Sequence, residues 1–203
     1  MPIESIRVAS PFGVTVDQRF QVHEPRSDRL LVMLPGRAYL VSHPVLFHIG
    51  QMAYEQGWDV LPVQYGFQMG GDLGAGGESL LAEDVRLATA PVLRRGYREV
   101  CVVGKSLGTP LAMELARTAD AGVVSRILLT PIGAALTPAD GIRTLAVIGT
   151  ADPLYAPALA VDTAATTWRV FERLDHGLVD EGDWRYSVES LAAIVGACEA
   201  FIC

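Results

Sequence analysis

Gly104-Lys105-Ser106-Leu107-Gly108 decides the reading of this chain, because it joins two stretches of different periodicity. Before it, Glu99-Val100-Cys101-Val102-Val103 is a short apolar run of the kind that forms a strand buried on both faces. After it, Thr109-Pro110-Leu111-Ala112-Met113-Glu114-Leu115-Ala116-Arg117 opens a helix, with proline in the first turn, where its missing N–H costs nothing. Strand, sharp turn and helix around G-x-S-x-G are the setting of a nucleophile elbow, which exposes a serine on a strained turn. Strand and helix then approach so closely that the positions two before and two after the serine have no room for a side chain. Gly104 and Gly108 stand there.

Strands of the same kind recur on both sides of the elbow. Leu30-Leu31-Val32-Met33-Leu34, Val60-Leu61-Pro62-Val63 and residues 100–103, 126–129 and 144–148 are short apolar runs, each followed by glycine, proline or small polar residues. Pro62 weakens the second of these as a strand. Helical stripes lie between several of the runs, at Val45, Ile49, Met52 and Ala53 and at Leu81, Val85, Ala88 and Val92, and a third follows near the C-terminus at Val188, Leu191, Ala192 and Val195. These read as core faces. Upstream, residues 3–8 and 14–22 alternate around Ser10-Pro11-Phe12-Gly13, an antiparallel hairpin at one end of the sheet. The fold class is therefore α/β: a mostly parallel twisted sheet with helices on both faces and an N-terminal antiparallel hairpin.

The 203 residues suit one domain over 1–203, since two halves would each be unusually small. Half are apolar and 19% charged, a globular profile. A net charge of -7 without clustered Lys and Arg argues against nucleic acid or an anionic membrane as partner. Cys101, Cys198 and Cys203 make no even disulfide framework, which fits a reducing cytoplasm. No apolar stretch is long enough to span a bilayer, and residues 1–10 lack the basic-then-apolar pattern of an export signal.

A serine hydroxyl is a weak nucleophile unless a base takes its proton, and the base needs a partner that fixes its tautomer. Asp152, in Ile148-Gly149-Thr150-Ala151-Asp152-Pro153-Leu154, lies just past one strand, and His176, in Leu174-Asp175-His176-Gly177-Leu178, follows the strand-like residues 168–171. Catalytic groups of parallel sheets gather outside the carboxyl ends of strands. Taken singly, these would pass as a turn serine, a turn aspartate and a loop histidine. Together they point to one site.

In these residues the chain resembles the α/β-hydrolase superfamily, whose order of nucleophile, acid and base is matched by Ser106, Asp152 and His176. The resemblance spans nearly the whole chain. It implies that Ser106 attacks an acyl carbon, His176 shuttles the proton and Asp152 orients the imidazole. Asp175 and Asp180, near the base, then read as loop carboxylates; His23 and His48 are structural or exposed, and His43 borders the site. The resemblance also assigns oxyanion donors: the backbone N–H of Leu107 and one from Pro35-Gly36-Arg37-Ala38-Tyr39, with Arg37 favoured through its main chain. That loop departs from the usual His-Gly opening, because Pro35 stands in place of the histidine.

Residues 130–141 are too short for a large cap, so the implied protein is a small, open, esterase-like serine hydrolase. Its walls are expected from Tyr39, Tyr65, Phe67, Ile132 and Leu154, which suit a modest acyl chain or aromatic group. The expected substrate is a small carboxylic ester or thioester, with no metal or organic cofactor. Acyl transfer to a non-water acceptor, peptide cleavage and a non-catalytic interaction module stand as alternatives. Lys105 and Arg37 place two positive charges near the mouth and raise the expectation of a mild preference for carboxylate-bearing substrates, against solvated side chains without a role. The segment Gly70-Gly71-Asp72-Leu73-Gly74-Ala75-Gly76-Gly77 reads as a flexible loop; it lacks the Gly-Lys-Ser/Thr ending of a phosphate loop, and no G-x-G-x-x-G follows the first parallel strand.

Overall fold

A computed structural model describes residues 2–70, 73–74, 76–118 and 122–203. Among them, eight strands form one sheet: β1 (Ile3–Ala9), β2 (Thr15–Gln21), β3 (Arg29–Leu34), β4 (Asp59–Pro62), β5 (Glu99–Lys105), β6 (Val123–Leu129), β7 (Arg143–Gly149) and β8 (Thr166–Phe171). The order across the sheet is β1-β2-β4-β3-β5-β6-β7-β8. β1 and β2 are the antiparallel hairpin expected from their alternation, with Val8 opposite Val16, and β2 runs antiparallel to β4. From β4 to β8 every pairing is parallel. Pro62 is tolerated because it ends β4, where the pairing with β2 has already stopped at Val60.

Four helices cover the sheet: α1 (Pro44–Glu55), α2 (Gly77–Leu93), α3 (Gly108–Thr118) and α4 (Trp184–Ile202). The central strands are apolar over most of their length because both of their faces are covered. Leu30, Val32, Val100 and Val102 pack with Leu81, Val85 and Leu111 of α2 and α3, whereas Leu31, Met33, Cys101 and Val103 pack with Ile49 and Ile194 of α1 and α4. Strand β3 therefore leads to a helix on one face and β5 to a helix on the other. Among the described residues, no helix covers the outer part of the first face, where Ala146, Ile148 and Trp168 form a small cluster with Tyr155.

The stripes expected on α1 and α2 are buried as read. That on α4 is not. The helix buries Ser190, Ile194, Cys198 and Ile202, and Val188 is 57% exposed. The buried row begins with a serine, so an apolar-periodicity reading passes over it and settles on the flank. Leu191 and Val195 lie on that flank, half-buried beside α1, lining a groove of about 460 Å³.

The crossover from β6 to β7 is short, with a single 3₁₀ turn at Gly133–Leu136. It is pinned by the wholly buried Arg126, whose guanidinium donates to both carboxylate oxygens of Asp140 at 2.6 Å and to the Thr144 hydroxyl at 3.0 Å. In the glycine-rich segment, Gly71, Asp72 and Ala75 lie outside the described residues, and Gly77 opens α2. No helix among the described residues is long and apolar enough to cross a membrane.

Candidate active site

Ser106 sits between β5 and α3 with φ at +50°, a conformation that side chains other than glycine rarely adopt. Its backbone is held from both sides. The Ser106 N–H donates to Leu129 O at 2.9 Å, and the Ser106 carbonyl accepts from the N–H and the hydroxyl of Thr109 at 2.8 and 2.7 Å. The glycines fit the steric reading of the motif. A methyl on Gly104 would run into the Gly108 carbonyl, and one on Gly108 into the carbonyl oxygens of Leu34 and Pro35.

The three residues that the sequence singles out are brought into one line. Ser106 Oγ is 2.8 Å from His176 Nε2, and His176 Nδ1 is 2.7 Å from Asp152 Oδ2. The Asp152 side chain is fully buried, and its other oxygen accepts the Leu154 N–H at 2.9 Å. A carboxylate only accepts, so the proton belongs on Nδ1 and the lone pair of Nε2 faces the serine hydroxyl. The neighbouring carboxylates are engaged elsewhere: Asp175 Oδ1 accepts the N–H groups of Gly177 and Val179, and Asp180 pairs with Arg173. His23 lies against Asp59 at the start of β4, His48 is exposed, and His43 stacks edge-on against Tyr39 with ring centres 4.8 Å apart.

The loop after β3 lies beside the serine, a Cβ built on Gly36 falling 3.6 Å from Ser106 Cβ. Its carbonyls are tied down on the far side. Tyr65 OH donates to Pro35 O at 3.0 Å, and Gln68 Nε2 donates to Gly36 O at 3.0 Å and to Arg37 O at 3.4 Å. In a trans peptide the C=O and the following N–H point in opposite directions. Anchoring Gly36 O on Gln68 therefore turns the Arg37 N–H away from Gln68. Thr109 does the same for Leu107 by holding Ser106 O. Gln68 lies in the run Tyr65-Gly66-Phe67-Gln68-Met69 that the sequence offers as a wall, but its role as a tie, like that of Thr109, does not stand out, because a single amide or hydroxyl carries no periodic signal.

The residues expected as walls take different places. Leu154 is exposed beside Asp152, Ile132 is half-buried with its N–H on the Thr109 hydroxyl at 3.2 Å, and Tyr39 is half-buried with its hydroxyl accepting from Val45 N at 3.2 Å. Tyr65 has no exposed surface and Phe67 almost none; both belong to the core that packs α2 and α3. They support the loop and do not form an open wall. Burial raises the Tyr65 phenol well above its ordinary value, with the nearby Asp84 adding to the shift.

Lys105 also differs from its expected place. It is 1% exposed, not a charge at the mouth, and its Nζ donates to Thr130 Oγ1 and to His176 O, each at 2.6 Å. Burial lowers its ammonium to about 8, opposed by attraction to Asp152 and Asp175. The two-charge mouth is thus reduced to Arg37, which is exposed. Among the described residues, no three His, Cys, Asp or Glu side chains converge as metal ligands.

No protein-family model matches this chain, and no curated protein sequence matches it. Solved structures do. An α/β serine hydrolase without lid from Xanthomonas campestris is 15% identical with a TM-score of 0.68, over 100% of this chain and 95% of that one. An esterase of Pyrococcus furiosus is 10% identical with a TM-score of 0.71, over 99% and 92%. An α/β serine hydrolase homologue from Coxiella burnetii is 13% identical with a TM-score of 0.70, over 97% and 98%. At such identities the likeness is one of architecture, and it extends from the first hairpin to the last helix: the chain has the α/β-hydrolase fold.

Proposed function

We propose that this chain is a serine hydrolase that cleaves small carboxylic esters or thioesters through a covalent acyl-enzyme, acting as one domain in the reducing cytoplasm. The observation that carries the reading is the unbroken hydrogen-bond line from Ser106 Oγ through His176 to the buried Asp152. Ser106 Oγ attacks the acyl carbon while His176 Nε2 takes the hydroxyl proton. The tetrahedral intermediate collapses, the bond to the leaving oxygen or sulfur breaks, and His176 returns its proton to the leaving group. Water then attacks the acyl-serine, gives a proton to Nε2, and releases the acid and the serine hydroxyl. Asp152 fixes the tautomer and stabilises the imidazolium. The N–H groups of Leu107 and Arg37 receive the oxyanion.

Tyr39, Ile132 and Leu154 are the proposed border of a site for small-molecule esters, and the segment after β6 holds one 3₁₀ turn. The three cysteines, none of them disulfide-bonded, accord with a reducing compartment. The test is an ester, thioester and peptide panel run on wild type and Ser106→Ala, together with labelling by a fluorophosphonate. Hydrolysis and labelling that vanish in Ser106→Ala support the assignment. His176→Ala should lower kcat by roughly three orders of magnitude or more with the fold intact. Absence of labelling in folded wild type points to a non-catalytic module, and faster turnover with added alcohols or amines points to acyl transfer.

A further inference from the structure

The ammonium of Lys105 ends beneath the site, where four segments of the chain meet. The residue closes β5 directly before Ser106. Its Nζ donates to His176 O in the loop after β8 and to Thr130 Oγ1 at the end of β6, and lies 4.9 Å from the centre of the Tyr39 ring in the loop after β3. Thr130 itself is held with φ at +44° by its N–H on Val147 O at 2.7 Å, so the acceptor it offers is fixed in place.

The His176 loop is closed by its own bonds and tied to the loop after β7, where Leu174 O accepts the Ala151 N–H at 3.0 Å and His176 meets Asp152. Asp175 accepts the N–H groups of Gly177 and Val179 through its side chain, while its backbone bonds Leu178 and Val179. Among the described residues, two hydrogen bonds join this loop to β5 and the elbow. One is the imidazole on Ser106, and the other is Lys105 Nζ on the His176 carbonyl. The first is broken and remade if the serine reacts, so the second is the tie from this loop to β5 that persists while the proton moves.

We propose that Lys105 is a positioning residue, tying the His176 backbone to the strand that carries Ser106. The inference rests on the hydrolase reading above. The groups that face the ammonium are Asp152 from the loop after β7, Asp175 and His176 from the loop after β8, and the Tyr39 ring; Thr130 contributes no charge. Removing the ammonium releases the His176 carbonyl from β5 and loosens the placement of the imidazole against Ser106.

The test compares wild type, Lys105→Met, Lys105→Arg and Thr130→Val on p-nitrophenyl acetate, with circular dichroism and urea unfolding as checks of the fold. Lys105→Met is expected to lose on the order of 10- to 100-fold in kcat, with KM changed by less than about threefold, since a misplaced base affects the reaction more than substrate binding. Lys105→Arg, which keeps a cationic donor, should recover part of the lost kcat. Thr130→Val, which removes one acceptor, should lose several-fold in kcat and supplies the answer if Lys105→Met does not fold. Proton NMR gives a reading independent of turnover: the downfield resonance of the His176 Nδ1 proton should broaden or move in Lys105→Met. A folded Lys105→Met with wild-type kcat and an unchanged resonance overturns the proposal, as does unaltered kcat in Thr130→Val. Failure of the hydrolase reading is separate, since wild type itself would then neither label nor turn over.

Discussion

Titrating the folded chain above neutrality should expose Lys105 through stability alone, without any substrate. Its ammonium ordinarily loses its proton at 10.5, and burial lowers that to about 8 in the folded state. Between these values the folded chain has released the proton while the unfolded chain still holds it. Unfolding then takes up a proton, so stability rises with pH across the window. The full gap is worth about 3 kcal/mol. Two buried thiols act with the opposite sign. Burial pushes Cys101 from 9 up to about 12 and also raises Cys198, so the unfolded chain loses those protons first and stability falls as pH rises past 9. Wild type alone would therefore give a blurred curve, but Lys105→Met keeps both thiols and lacks the amine. Urea unfolding of the two proteins from about pH 7 to about pH 10 isolates the lysine by difference, and wild type should gain about 2–3 kcal/mol relative to the variant over that span. Absolute stability of the variant is not the readout, because methionine removes a buried charge and also leaves Thr130 Oγ1 and His176 O without this donor. A difference that stays flat would refute the reasoning, since it would mean that Lys105 keeps its charge at no cost and is not sealed beneath the site.

Gly108→Ala drives a methyl into the Leu34 and Pro35 carbonyls, where backbone must yield; the expected loss is about 1–3 kcal/mol in urea unfolding and roughly 100-fold in kcat through the displaced elbow, and full activity would show that α3 can slide. Asp140→Ala leaves the wholly buried Arg126 with Thr144 as its remaining side-chain partner, which should cost about 3–5 kcal/mol by denaturant titration. Arg126 holds the Asp140 carboxyl below its ordinary 3.8, so this contribution is present above that value and is lost as pH falls through the folded one, a dependence that Asp140→Ala should abolish. Gln68→Leu releases the carbonyls of Gly36 and Arg37 and is expected to lower kcat roughly tenfold with little change in KM if the Arg37 N–H serves the oxyanion; an equal loss in binding would assign the loop to substrate contact.

The parts of this molecule that a sequence declares are those with a period or a steric demand. Strands β3, β5, β6 and β7 are apolar at successive positions because both faces are buried, and the elbow is marked because Gly104 and Gly108 have carbonyls where a Cβ would lie. Ser106, Asp152 and His176 share a second kind of legibility, each falling just beyond a strand. What stays hidden depends on one contact from a distant element. Lys105 looks like a surface charge until Thr130 and His176 are found around its Nζ, and Tyr65 looks like a pocket aromatic until its hydroxyl is found on Pro35 O. The buried row of α4 is hidden because it begins with Ser190.

The order of strands explains why these contacts fall where they do. The chain passes from β3 through α1 to β4 on one side, then returns through α2 to β5 on the other side of β3. Keeping both crossovers right-handed puts α1 and α2 on opposite faces of the sheet. The loops leaving β3 and β5 consequently diverge, one toward α1 and the other toward α3, and a crevice opens between the ends of two strands that are hydrogen-bonded neighbours. Gly36 and Ser106 flank that crevice, so N–H groups from two chain segments can converge on one small atom without either segment crossing the other. The arrangement has a weakness, because diverging loops share no ladder beyond Leu34 and Gly104 to hold them in register. Gln68 supplies a tie on the β3 side, Thr109 one on the β5 side, and Lys105 one beneath both to the base. If the chain works as the proposed hydrolase, the three ties are not interchangeable: loosening Gln68 or Thr109 would disturb the N–H groups beside Ser106, whereas loosening Lys105 would disturb the placement of His176.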